Sequence, residues 1–207
     1  KFIRNISSQM EPTLNTLGTS AKELSAQAPR YAEQMQAQVA ALKQFSDNIQ
    51  ELSSLENSLT EPYEMGEVNA GTFCESVMEK AKEFMKPDVT PSVNAPKLQV
   101  KTNKEQLERI LLYLLKNAAF YTEQGRISLD FKKRGAHTHQ FIITDTGTGI
   151  PAEQQENLFK PFTQVKDLTT GDGLGLPICS LIATKMNGSL TLDTSYTKAV
   201  SYTHLTL

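Results

Sequence analysis

From residue 2 to about residue 60 the apolar positions step by threes and fours. They fall at Phe2, Ile6, Met10, Leu14, Leu17 and Leu24, and after Pro29 at Met35, Val39, Leu42, Phe45, Ile49, Leu52, Leu55 and Leu59. That spacing puts each set on one face of a helix. Gly18 is the only glycine in the stretch, and Pro29, in "SAQAPRY", stands where a helix stops. The prediction is an antiparallel helical hairpin. Two amphipathic helices bury little alone, so a hairpin from a second copy would complete a four-helix bundle. The alternative is a hairpin packed on the chain's own C-terminal part.

"TEPYEMGEVNAG" breaks the helical period and marks a boundary, with one domain over 1–61 and a second over 62–207. Beyond it the pattern mixes periods. A short strand is expected near Tyr63–Val68 and a helix over Thr72–Phe84, then a loop punctuated by Pro87 and Pro91, and a strand in "KLQVKT". "NKEQLERILLYLLKNAAFYT" predicts a long helix with Asn103 as its N-cap. "RISLDFKK" and "QFIITDTG" read as a strand pair across "RGAHT"; "PICSLIATKM" reads as a helix ended by "NG", and "SLTLDTS" as a strand. The fold class is α+β, with helices layered on one face of a mixed sheet.

Composition adds exclusions. A net charge of −2 over 207 residues offers no general attraction to nucleic acid or anionic membrane. No apolar run approaches the roughly 20 residues that cross a bilayer. Cys74 and Cys179 have no metal-ligand spacing, and reduced thiols are the expectation. A chain opening at Lys1 is expected to be a piece of a longer one, with any sensor or membrane segment lying upstream.

Four patterns follow one another in the second domain: "NAAFY" (117–121) late in a helix, "DTGTGIP" (145–151) after a strand, "ENLFKPF" (156–162), and "GDGLGLPI" (171–178) opening a helix. Each alone has a plain structural reading as helix surface, turn, core or helix entry. In this order and spacing they resemble the N, G1, F and G2 boxes of sensor histidine kinases, in the ATPase superfamily shared with gyrase, mismatch-repair and heat-shock chaperone ATPases. The likeness covers about residues 63–195, and the hairpin resembles the same family's dimerisation and phosphotransfer domain.

The resemblance implies a two-layer α/β sandwich that binds ATP and Mg²⁺. Asp145 would accept a hydrogen bond from the adenine amine, a preference that separates adenine from guanine. Gly147 and Gly149 would let the chain bend around the base, and Ile150 and Leu174 complete its surroundings. Asn117 would hold Mg²⁺ through its amide oxygen, with phosphate and water as the other ligands. Tyr121 would line the pocket. Gly171, Gly173 and Gly175 would hinge a lid over the phosphates, Phe159 and Phe162 would anchor it, and Lys166 could reach a phosphate.

The hairpin departs from the family pattern at its centre. Phe2, Ser7 and Leu14 fall in place, but the acceptor histidine position holds Ser8 and the adjacent glutamate position holds Gln9. Glu11 stands where arginine is usual, and Pro12–Thr13 reverses a threonine–proline pair. The three histidines are His137, His139 and His204, all outside the hairpin. Imidazole is a nucleophile near neutral pH, whereas a serine hydroxyl needs a base, and Gln9 cannot take a proton. Pro12 also replaces the threonine that related proteins use to dephosphorylate their partner. In the nucleotide domain Phe120 replaces a usual lysine or arginine, and Tyr113 an earlier asparagine. The tail "AVSYTHLTL" (199–207) has strand-like composition without the family's pattern, and a foreign or frameshifted end is the expectation there.

The leading expectation is the cytoplasmic core of a membrane-associated sensor histidine kinase. It would be homodimeric through its hairpin and would address a response regulator receiver domain. It would have no nucleic-acid partner and no membrane contact in this fragment, and its usual autophosphorylation would be lost. The alternative is a non-catalytic, ATP-binding dimeric signalling scaffold. A chaperone- or gyrase-like ATPase fits poorly, because the helices precede the nucleotide domain.

Overall fold

The computed structural model describes residues 2–23, 28–135, 138–162, 173–193 and 201–207, the side chains of 2–9, 152 and 201–204 excepted. The chain divides into two compact units, residues 1–58 with 158–178, and residues 59–157 with 179–207.

In the first unit, helices α1 (Phe2–Glu23) and α2 (Pro29–Asn57) pair along their length. Leu14, Leu52 and Leu55, from the apolar positions stepped along each helix face, are buried, together with Ala21 and Ala32. Pro29, expected as a stop, is instead the first residue of α2, where a missing N–H costs nothing and the fixed φ suits the helix. Pro12 lies inside α1. It has no N–H to give the carbonyl one turn earlier, that of Ser8.

The second unit holds two sheets. Strands β1 (Gly66–Asn69) and β3 (Gln99–Thr102) form an antiparallel pair. The larger sheet has the order β2-β4-β5-β7-β6, with β2 (Val89–Asn94) parallel to β4 (Gly125–Lys133) and the other pairings antiparallel. Strand β5 is His139–Asp145, β6 is Ser189–Leu192 and β7 is Ser201–Thr206. Helices α3 (Ala70–Ala81) and α4 (Lys104–Tyr121) pack on each other; α3 contacts β2 and β4, and α4 contacts β4 and β5. On α4 the buried positions are Leu107, Ile110, Leu111, Leu114, Leu115, Ala118 and Ala119, a stripe at helical spacing. On β4 Ile127, Leu129 and Phe131 are buried at every second residue. Fully burying each large apolar side chain contributes about 1.5–3 kcal/mol. Two helices follow β5 in the chain, α5 (Ala152–Gln155) and α6 (Gly175–Lys185), the first four residues of α6 falling in the first unit. No helix among the described residues is long and apolar enough to cross a membrane.

Local chemistry sets the ends of these elements. Asn103 caps α4 by accepting the Gln106 N–H at 2.9 Å, as predicted. Asn69 does the same for α3 through the Thr72 N–H at 3.1 Å; that helix starts two residues earlier than expected, and the strand before it is the shorter Gly66–Asn69. Helix α6 closes on Asn187, in the left-handed region at φ 59°. The N–H of Gly188 then bonds the Ala183 carbonyl at 2.8 Å and the N–H of Asn187 the Thr184 carbonyl at 2.9 Å, the paired bonds of a helix C-cap.

One expectation is corrected. Residues 89–94, read as loop because of Pro91, form β2. The strand lies at an edge of its sheet and has a single neighbour, so a proline without an N–H is tolerated there. The tail, strand-like in composition, supplies β7, which lies between β5 and β6 with Leu205 fully buried.

Candidate functional site

Strand β5 ends at Asp145, and α4 ends at Tyr121. The loop between β5 and α5 folds back against the end of that helix. Tyr121 is among the last residues of α4, whose carbonyls have no intrahelical donor. Its carbonyl accepts the Thr148 N–H at 3.2 Å. Gly147 passes so close that a Cβ there would lie 2.4 Å from the Tyr121 oxygen and 2.9 Å from Asp145 Oδ1. Glycine is therefore required at 147 by close approach. Gly149 takes φ 72°, a left-handed conformation suited to glycine. The Gln155 side-chain amide donates to the Ile150 carbonyl at 2.8 Å and ties the loop's far end to α5.

Asp145 is buried, with 5% of its surface exposed. Its Oδ1 accepts the Gly147 N–H at 2.9 Å. A carboxylate oxygen held by a backbone donor has a fixed orientation. Asn117 stands one helical turn before Tyr121 on α4 and is half-buried. The Tyr121 ring is exposed and meets the exposed ring of Phe120 edge to face, with centroids 4.9 Å apart. Lys116 points away from this group, as expected from its place on the helix, with Nζ 4.3 Å from the centre of the Phe84 ring.

The structure thus brings Asp145, Gly147 and Tyr121 into direct contact and places Asn117, Gly149 and Ile150 on the same two segments. Phe159, Phe162, Gly173, Leu174 and Gly175 belong to the first unit. Phe162 has φ 66°, its N–H donates to the Gly173 carbonyl at 3.4 Å, and its ring lies edge-on to Phe45 at 6.2 Å. Leu174 is fully buried and Gly175 begins α6. Lys166 and Gly171 lie outside the described residues, as do the side chains of Ser8 and Gln9. Sequence reasoning missed the role of the Tyr121 carbonyl, which no side-chain pattern signals.

The arrangement presents a buried carboxylate acceptor, Asp145, beside a loop whose Gly147 is packed directly against the Tyr121 carbonyl. Among the described residues no cluster of three or more His, Cys, Asp or Glu side chains could hold a metal by itself. Thiol chemistry has no support at Cys74, whose pKa burial, reinforced by Glu75, pushes up to about 12.

Aerobic respiration control sensor protein ArcB of Escherichia coli K12 is 24% identical over 216 residues, spanning 98% of this chain and 28% of that protein. Sensor histidine kinase RcsC of the same organism is 33% identical over 114 residues, which is 53% of this chain and 11% of the relative. The chain thus spans 28% or less of the length of these two relatives. In fold it resembles full-length ShkA in complex with AMPPNP, with a TM-score of 0.80 at 20% identity over 99% of this chain and 44% of that one. It also resembles the Acinetobacter baumannii histidine kinase AdeS, with a TM-score of 0.72 at 20% identity over 95% of each chain. Residues 102–207, about half of the chain, match the family described as histidine kinase-, DNA gyrase B-, and HSP90-like ATPase, and the chain belongs to that family.

Proposed function

We propose that the chain is the ATP-binding core of a two-component sensor histidine kinase in which the usual phosphorylation of the hairpin has been lost. The observation that carries the nucleotide part is the buried Asp145 carboxylate, held by the Gly147 N–H at 2.9 Å beside the glycine cradle. Asp145 accepts from the adenine amine. Gly147 and Gly149 let the loop bend around the base, Ile150 and Tyr121 line its edge, and Asn117 holds Mg²⁺ through a hard amide oxygen. Bound ATP would supply the phosphoryl group.

The acceptor side rests on the sequence. Ser8 has no adjacent base, since Gln9 cannot accept a proton. The reversed Pro12–Thr13 pair also moves the helical carbonyl that lacks its donor from residue 9, where proline at 13 would put it, to residue 8. Ser8→His with Gln9→Glu is expected to restore weak phosphorylation, improved by Pro12→Thr with Thr13→Pro and again by Phe120→Lys. The check is incubation with radiolabelled ATP and Mg²⁺, followed by acid and base treatment of the labelled protein. Acid-labile label on the hairpin of the unaltered chain would sink the lost-acceptor reading.

One observation favours a second reading, a dimeric scaffold that binds ATP without transferring its phosphoryl group. Phe120, at the position where the family carries a cation, is an exposed ring with 62% of its surface in solvent. An apolar ring cannot offset charge developing on a transferring phosphoryl group, so chemistry should suffer more than adenine binding. Either reading has the hairpin dimerising and addressing a receiver domain of a response regulator, in the cytoplasmic portion of a longer sensor. Leu42→Asp would put an unpaired charge into the bundle seam at a cost of several kcal/mol, and light scattering is expected to show monomer or aggregate. An unaltered chain that is monomeric at high micromolar concentration rules out the bundle.

A further inference from the structure

We propose that Thr146, together with Gly125, is a positioning residue for the adenine-reading loop. The proposal rests on the nucleotide reading above and extends it to a residue that touches no nucleotide in that reading. Thr146 lies between Asp145 and Gly147, and it ties their loop to the start of β4 through both backbone and side chain. Its N–H donates to the Arg126 carbonyl at 3.1 Å. Its Oγ1 accepts the Arg126 N–H at 3.0 Å, and the hydroxyl proton has the Gln124 and Arg126 carbonyls to choose from, each at 3.5 Å.

Space for this hydroxyl exists because residue 125 is glycine. A Cβ at Gly125 would lie 2.2 Å from Thr146 Oγ1, and the residue's φ of 117° is open to glycine and strained for other residues. The consequence reaches the site through one peptide plane. The bond between residues 146 and 147 carries the Gly147 N–H that holds Asp145 Oδ1 at 2.9 Å. Anchoring Thr146 on both its N–H and its Oγ1 limits rotation of that plane. The direction of the carboxylate is then set by β4 rather than by the loop alone. On the other side of the loop the Thr148 N–H is held by Tyr121, so the segment carrying Gly147 is fixed at both ends.

The test compares Thr146→Val, which keeps the branched shape and removes the polar atom, with Thr146→Ser, which keeps the hydroxyl. ADP and GDP binding are measured by calorimetry, and amide hydrogen exchange is followed at Gly147 and Thr148. Thr146→Val is expected to weaken ADP binding roughly threefold to tenfold, the size of one hydrogen bond's net contribution. GDP binding should change little, so adenine discrimination narrows. Exchange at Gly147 should quicken, and Thr146→Ser should stay within about twofold of the unaltered chain on the same scale. Thr146→Val that lowers the melting temperature while leaving ADP affinity and Gly147 exchange unchanged would reduce Thr146 to a structural residue and overturn the proposal. So would a serine variant as impaired as the valine one. An unaltered chain that binds no ADP overturns the nucleotide reading and, with it, the positioning role. The exchange measurement then shows separately whether the anchor itself is real.

Discussion

Asp145→Asn is expected to weaken ADP and ATP binding by tenfold to over a hundredfold while leaving the fold in place. The asparagine oxygen can still accept the Gly147 N–H, which in the unaltered chain reaches Asp145 Oδ1 at 2.9 Å, so the loop keeps its shape. The other carboxylate oxygen becomes an amide nitrogen, a donor facing the donor amine of adenine. Losing a charge-assisted bond in a buried site costs about 1.5–3 kcal/mol, which sets the range of the expected loss. Calorimetric titration with ADP reads it, with thermal melting as the control for folding. Unchanged affinity would mean that another group reads the base. An equal fall in GDP affinity would mean that the substitution damaged the loop rather than the recognition.

Leu205→Asp is expected to abolish cooperative folding of the second unit. Leu205 is fully buried in β7, opposite Phe141 of β5 on one side and Leu190 of β6 on the other, both of them also buried. An uncompensated carboxylate there costs several kcal/mol, and the lost apolar burial adds about 1.5–3 kcal/mol. Set against a whole-domain stability of about 5–15 kcal/mol, that is enough to populate the unfolded state at room temperature. Because β7 is interior to the sheet, its failure also leaves β6 without its neighbour. Leu205→Val is the control, with a loss of about 1 kcal/mol and a lowered but cooperative melt. Circular dichroism melts separate the two. If Leu205→Asp melts like the unaltered chain, residues 201–207 do not hold the sheet together.

Strand β2 shows where reading the chain residue by residue fails, and the place of the tail in the sheet is equally invisible to it. Pro91 is strong local punctuation, and nothing near it says that its strand will have only one neighbour. That follows from the parallel pairing with β4, whose Gly125–Asp130 lie more than thirty residues along the chain. "SYTHLT" has no clear alternation of apolar and polar residues, and its strand is selected by hydrogen-bonding partners on β5 and β6. Such long-range pairings are decided by which edges remain free once the rest has formed. The site divides along the same line. Asp145, Gly147, Gly149 and Asn117 are visible as residue types at characteristic spacings. The clamp on the loop is invisible because it uses the Tyr121 carbonyl and the Arg126 backbone, which every sequence possesses.

By itself the sequence determined the elements whose signals are local. The long apolar stripe of α4, the Asn103 cap, the Asn187–Gly188 stop and the alternation along β4 each act within one or two turns or a few residues of chain. It also determined which side chains are available for chemistry. Tertiary structure alone decided the strand order, the tolerance of Pro91 at an edge and the burial of Leu205. It alone decided that Asp145 is held by its neighbour's N–H while the loop is pinned between α4 and β4. The physical reason is that these depend on closing long loops and on satisfying backbone donors and acceptors across the sheet, and neither constraint is written in any short stretch of residues.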